Sequence, residues 1–217
     1  LKKTGKVLYT NVLHCVATQY FSELGSHIGK KADAEMYLQF SKRVKASLND
    51  QFWNGSYYID WIDKDRRVEV FSTEANVIAV MLGVTTKEQS EAIESYMFNN
   101  KMNDSFCVST NHQKHAMRDI YPPFVGIRLQ DYHNGLKWLW VGCLDAVAKS
   151  RNGQQDRAVE ALTRIAAKIV EYDGVFEVYE KDGPPLQRFF YRSEKLFAWS
   201  SGLFVWACHQ VGVDLSD

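Results

Sequence analysis

The chain has 217 residues, enough for one domain with a well-buried core or for a large piece of a bigger one. Its 26 basic and 26 acidic side chains cancel, which leaves no net charge to draw in nucleic acid or an anionic membrane surface. No apolar run approaches the roughly 18 to 20 residues of a membrane span, and no signal peptide is present. Cys15, Cys107, Cys143 and Cys208 are widely spaced, with no CxxC pair, so neither a zinc site nor a disulfide scaffold is expected and the thiols are read as free and buried. The first residue is Leu1 rather than Met, so a fragment of a longer protein is expected; the compartment expected is the cytoplasm.

Helical spacing of apolar residues dominates, and the helices come in pairs. The first pair covers about Leu8 to Leu24, stopping near Gly25, and then about Lys31 to Phe52, where Ala34, Tyr37, Leu38, Phe40, Val44 and Leu48 fall near helical spacing. The second pair runs from about Ser72 to Leu82, ending at Gly83, and from about Lys87 to Phe98 behind Thr85 or Thr86, with Glu88 in the first turn. The third runs from about Leu136 to Lys149, turns at Asn152-Gly153, and continues from Gln154 to Val170. A seventh helix, about Leu196 to Val211, closes the chain.

Turns within the pairs are short, whereas the three connections between pairs each exceed about a dozen residues, a length that in a compact domain usually signals function. In a ring of antiparallel hairpins those three connections emerge on one face. The first contains "GSYYIDWIDKDRR", in which Tyr57, Ile59 and Trp61 alternate with Tyr58 and Asp60 as in a short strand. The second contains "YPPFVGIRLQDYHNG" and the third "YDGVFEVYEKDGPPLQRFFYR". Aromatic rings mixed with carboxylates, guanidinium groups and an imidazole suit carbohydrate, whose rings offer apolar faces for stacking and hydroxyls for hydrogen bonds.

The segments "YHNGLKWLWVGCLDAVAKSRNGQQDRAVEAL", "DGVFEVYEKDG" and "FAWSSGLFVWA" resemble the closing portion of the six-hairpin glycosidases, the (α/α)6-barrel enzymes. Within these the resemblance is nearest to bacterial amylo-1,6-glucosidase-like proteins and glycoside hydrolase family 63, and "FWNGSYYIDW" and "FSTEANVIAVMLG" extend it over nearly the whole chain. The departures are mild: Leu136 follows Gly135 where the family has a second glycine, and Ser201 stands where the family has alanine. Such barrels have twelve helices. The resemblance therefore implies an all-α toroid of helical hairpins, with residues 1–217 forming the C-terminal part of its catalytic domain and the remainder of the barrel supplied by an upstream segment or a second chain.

Glycoside hydrolysis uses one protonated and one ionised carboxyl group, about 6.5 to 9.5 Å apart when configuration inverts. The family places its base in the loop before the last inner helix, a position that Glu177 matches, and its acid at or before Leu1. The resemblance thus implies an inverting hydrolase of α-linked glucosides or related oligosaccharides, with Glu177 as general base, an oligosaccharide as partner, and no metal or cofactor. A phosphorylase, epimerase or lyase on the same fold, or a non-catalytic carbohydrate-binding half barrel, are the rival outcomes.

Glu180 competes with Glu177, and a solvated loop carboxylate is the plain alternative for either. Asp60 and Asp63 would be candidate acids in a complete chain. Trp61, Tyr132, His133, Asn134, Trp138, Tyr179 and Trp199 are the candidate sugar-binding residues; for His133 and Asn134 the alternative is local hydrogen bonding and helix capping. Arg128 and Arg188 either bind hydroxyls or hold a carboxylate, with surface ion pairs the alternative. Trp140 and Trp206 are expected in the core, and Glu74 is expected to favour the helix dipole. His14 and His209 are expected to be packing histidines. His112 and His115 lack convincing partners for a metal, and Asn76 is either a polar contact beneath the cleft or an inwardly displaced cap.

Overall fold

The computed structural model of the chain describes residues 1–64, 66–181 and 183–213. The first two helices, α1 (Leu8–His27) and α2 (Lys31–Phe52), form a hairpin whose close approach depends on a glycine. A Cβ at Gly25 would lie 3.2 Å from the Ala34 main-chain nitrogen. The same interface carries a buried hydroxyl, Ser41, which donates to the Cys15 carbonyl at 2.9 Å. On α2 only Ala34, Ser41, Leu48 and Phe52 are buried, a single stripe that marks an outer helix.

Helix α3 (Thr73–Met81) is buried on all sides except at Glu74. Helix α4 (Lys87–Asn99) starts at a reciprocal capping box: the Thr86 hydroxyl accepts from the Gln89 amide at 3.2 Å and the Gln89 side chain accepts from the Thr86 amide at 2.9 Å. A short 3-10 turn (Met117–Asp119) and a short helix α5 (Pro122–Gly126) interrupt the second long connection. Helix α6 (Leu139–Arg151) is buried continuously from Leu139 to Lys149, and α7 (Gln155–Glu171) covers it with Ala158, Leu162 and Ile165. Gly142 marks their closest approach, since a Cβ there would lie 2.7 Å from Cys107 Cβ and 2.9 Å from Ile165 Cδ1. Helix α8 (Ala198–Val211) ends at Gly212, which adopts a left-handed conformation with φ of 78°. Packing runs in the order α1, α3, α6, α8, which makes these the inner layer, while α2 and α7 lie against α1 and α6 from outside.

Two small antiparallel sheets sit on the loop face. Strands β1 (Lys6–Val7), β2 (Ile59–Asp63) and β3 (Arg66–Phe71) pair in the order β1-β2-β3, with Val7 opposite Trp61 and Trp61 opposite Val68. Strands β4 (Gln187–Arg188) and β5 (Tyr191–Arg192) form a hairpin in the third connection.

All seven expected helices are present, with local differences at their ends. Helix α1 runs on to His27, because Gly25, expected to stop it, lies inside the helix as its point of contact with Ala34. Helix α6 begins at Leu139 rather than Leu136, because residues 136–138 are drawn into extended pairing: Lys137 and Tyr179 exchange both main-chain hydrogen bonds, at 3.1 and 2.8 Å. Asn134 therefore does not cap it; the cap position is Trp138. Helix α8 begins at Ala198 because Leu196 takes a φ of 63° and the Phe197 amide donates to the Val175 carbonyl at 3.0 Å. His14 and His209, expected to pack, are exposed. The four cysteines are free and buried. No helix among the described residues is long and apolar enough to cross a membrane.

Replacing Gly142 by Ala forces a methyl group into Cys107 and Ile165, and should destabilise the protein by about 1–3 kcal/mol in urea unfolding. An unchanged midpoint would show that α6 and α7 can part without cost.

Candidate active site

The three long connections meet through buried polar contacts. Asp60, on β2 in the first connection, has no solvent exposure. One of its oxygens accepts from Lys3 Nζ at 2.7 Å, and the other lies 2.8 Å from His115 Nε2 in the second connection. The other side of that imidazole, Nδ1, lies 3.1 Å from Asn134 Oδ1, which also accepts from the His115 amide at 2.6 Å and from Asn111 Nδ2 at 3.1 Å. The Lys137–Tyr179 pairing then joins the second connection to the third.

On this floor stands Glu177, half-buried in the segment after α7, its amide donating to the Glu194 carbonyl at 2.9 Å. The Tyr132 hydroxyl donates to one carboxylate oxygen and the Tyr191 hydroxyl to the other. The two hydroxyls are 3.4 Å apart and the rings meet edge to face at 5.5 Å. Tyr132 is further fixed by Trp138, whose ring meets it edge to face at 4.8 Å and whose Nε1 donates to the Tyr132 carbonyl at 2.9 Å. Glu180 is engaged elsewhere: it pairs with Arg188, which also reaches Asp131 at 3.1 Å. Glu180 is thus held by a cation that it shares with Asp131, whereas Glu177 is held by neutral hydroxyls.

The structure brings Tyr132, His133, Asn134 and Trp138 together beside Glu177, but with different access. His133 stacks on Trp138 with centroids 4.4 Å apart and keeps an exposed edge, whereas Asn134 and Trp138 are 4% exposed. Trp61 and Tyr179, expected in the cleft, are in the core instead. Trp61 is 1% exposed and stacks on His115 at 5.0 Å; Tyr179 is fully buried, with Phe106 edge-on and its hydroxyl accepting from the Phe176 amide at 3.0 Å. Main-chain pairing draws both inward, Trp61 opposite Val68 and Tyr179 opposite Lys137. Trp199 is 57% exposed and stacks on the buried Trp140 at 5.4 Å; Trp206 is partly buried. Arg128 is exposed. Asp63 accepts from the Thr4 hydroxyl at 2.8 Å, and Asp60, enclosed by Lys3 and His115, has no path to a substrate. Asn76 is a main-chain clamp: it accepts from the Tyr58 amide and donates to the Tyr58 carbonyl, both at 2.9 Å.

Tyr191 escaped sequence reasoning, because its only signal was membership of the run "RFFYR". Glu74 was underread. Its Oε2 is buried without a hydrogen-bond partner, and burial pushes its pKa up, against the lowering influence of Lys3. Burial, reinforced by the Glu177 charge, likewise raises the pKa of Tyr132 and of Tyr191, so both phenols remain protonated donors. The His133 imidazole is pushed down to about 4, first by desolvation from the protein packed around it and then by the charges of the Leu1 amine and Lys3. Among the described residues no group of three or more His, Cys, Asp or Glu side chains is placed to hold a metal ion; His112 meets Tyr96 edge-on and His115 is enclosed by Asp60 and Asn134.

Residues 2–205 match the model of a family described as amylo-alpha-1,6-glucosidase. No curated protein matches the sequence. Among solved structures, a GH63 mannosylglycerate hydrolase from Thermus thermophilus superposes with a TM-score of 0.68 at 15% identity, over 91% of this chain and 44% of that one. The neutral trehalase Nth1 of Saccharomyces cerevisiae gives 0.64 at 16% identity over 94% of this chain and 37% of that one. A sialidase gives 0.73 at 12% identity, over 94% of this chain and 20% of that one. These likenesses show the (α/α)6 helical-hairpin fold, and the chain spans less than half the length of each of the three.

Two outcomes follow from the geometry. Asp60→Ala strands buried donors on Lys3 and His115, and should cost about 3–5 kcal/mol of stability in denaturant titration; a loss below about 1 kcal/mol would show that the three connections hold without it. The His133 ring should titrate by NMR with a midpoint near 4, well under the ordinary 6.5. Since the unfolded ring takes up its proton at higher pH than the folded one, stability should fall as pH drops from about 6.5 towards 4. A midpoint at 6.5 would mean that the ring is solvated.

Proposed function

The chain belongs to the amylo-alpha-1,6-glucosidase family, and on that premise we propose that it carries the base-bearing half of an inverting glycoside hydrolase acting on α-linked glucosides or related oligosaccharides. One observation carries this reading. Of the two candidate bases in the third connection, Glu177 and Glu180, Glu177 alone is held by neutral donors, in an aromatic recess where the three long connections meet.

In this mechanism Glu177 accepts a proton from a water that attacks the anomeric carbon, while an acid upstream of Leu1 protonates the departing oxygen. Tyr132 and Trp138 wall the recess and His133 and Trp199 present open ring surface for stacking on sugar faces; Asn134 supports the floor. The neutral His133 ring suits a hydroxyl ligand, since it offers one donor and one acceptor. Trp61 and Tyr179 act beneath, by packing. Support for the rest of the barrel closing against this half comes from the inner helices at its two ends. Tyr20, Phe21 and Leu24 on α1 are exposed by 57, 55 and 53%, and Trp199 and Val205 on α8 by 57 and 56%.

In the full-length protein, Glu177→Gln should lower kcat on a panel of α-linked glucose disaccharides by about 10²–10⁴-fold. Calorimetric binding of the same sugars should persist, because the amide keeps the shape of the carboxylate. Turnover within about tenfold of the unsubstituted enzyme would remove Glu177 from the role.

A further inference from the structure

The Glu177 carboxylate could have been left to water, as an exposed loop acid usually is, yet both of its oxygens are occupied by phenols from two other segments. Tyr132 comes from the connection before α6, and Tyr191 from β5. Each carboxylate oxygen offers two lone pairs. One phenol per oxygen leaves one lone pair on each, which is the capacity a base needs to accept a proton from a single water. An ammonium or guanidinium in the same place would also fix the carboxylate but would neutralise it; the neighbouring Glu180, paired with Arg188, shows that arrangement eight residues apart in sequence. Neutral donors therefore hold Glu177 without cancelling its charge.

We infer that Tyr132 and Tyr191 are positioning residues for Glu177: their hydroxyls fix the orientation of its carboxylate and leave one lone pair per oxygen for the attacking water. The inference rests on Glu177 being the general base. The two tyrosines are not equivalent. Tyr132 is locked by Trp138 through an edge-to-face contact and a hydrogen bond to its own carbonyl, and by Phe124 at 5.9 Å. Tyr191 stands on a two-residue strand whose hairpin turn carries Phe189 and Phe190, 89 and 68% exposed, while its own ring packs against the core and edge-on to Tyr132. Tyr132 is thus held by the rings of Phe124, Trp138 and Tyr191, and Tyr191 completes the clamp beside an exposed turn. Because a displacement near 1 Å can cost about 10²-fold in rate, a clamp of this kind matters to turnover more than to binding.

The test uses the full-length protein and the sugar panel above. Tyr132→Phe and Tyr191→Phe each remove one hydroxyl and keep the ring. Each should lower kcat by about tenfold while KM changes by less than about threefold, the signature of a group that acts in the transition state. Placing 3-fluorotyrosine at position 191 keeps the hydroxyl and nearly the same shape, so kcat should stay within about threefold of the unsubstituted enzyme, and this variant tests the hydroxyl if Tyr191→Phe folds poorly. If Glu177→Gln is inactive while kcat stays put in both phenylalanine variants, or falls as far with 3-fluorotyrosine as with phenylalanine, the positioning role is overturned and Glu177 stands alone as base. If Glu177→Gln remains active, it is the assignment of the base that has failed.

Discussion

Asp60 is a carboxylate with no access to water, and the loop face is organised around it. Such a group is costly unless it is paired, and its two partners come from opposite directions: Lys3 from the start of the chain and His115 from the connection between α4 and α6. His115 passes the constraint on to Asn134, whose side-chain oxygen accepts from the His115 amide and from Asn111 and lies 3.1 Å from His115 Nδ1. Helices alone would leave three long loops free to choose their own paths. The buried charge removes that freedom for the first two, and the main-chain pairing of Lys137 with Tyr179 ties the third to them.

Above this floor, the chemistry is divided by what each carboxylate touches. Asp60 faces Lys3 and His115 and is structural. Glu180 faces Arg188 and ties the β4–β5 hairpin to Asp131. Glu177 faces phenols. Three acids within one loop cluster thus take three different characters without any difference in side-chain chemistry beyond a methylene group, and the assignment follows from the neighbours that the folded connections bring.

The helical layout was legible because its determinants are local: apolar spacing, the Thr86 capping box and the glycine stops at Gly83 and Gly153 all lie within a few residues of what they control. The site was legible only in part. Glu177, Tyr132, His133 and Trp138 lie in recognisable motifs, but the partners that distinguish Glu177 from Glu180 are up to 45 positions away in the chain. Trp61 and Tyr179 were misplaced for a related reason. An aromatic residue in a polar loop reads as exposed until the cross-strand pairings, Trp61 with Val68 and Tyr179 with Lys137, turn it inward. The start of α6 moved by three residues under the same pairing, a tertiary preference overriding a local one. Tyr191 had no local mark at all.

The uncovered rings on α1 and α8 set a condition on how such a chain is handled during synthesis. Two apolar end surfaces on one body are heterologous, so copies can join head to tail, and the rotation between successive copies decides whether they close into a ring or extend into a filament. The concentration of unclosed arcs, as well as the stability of each, then governs solubility. A matching segment made on the same ribosome would reach these helices at a far higher effective concentration than any second copy, and intramolecular closure would win the race against aggregation.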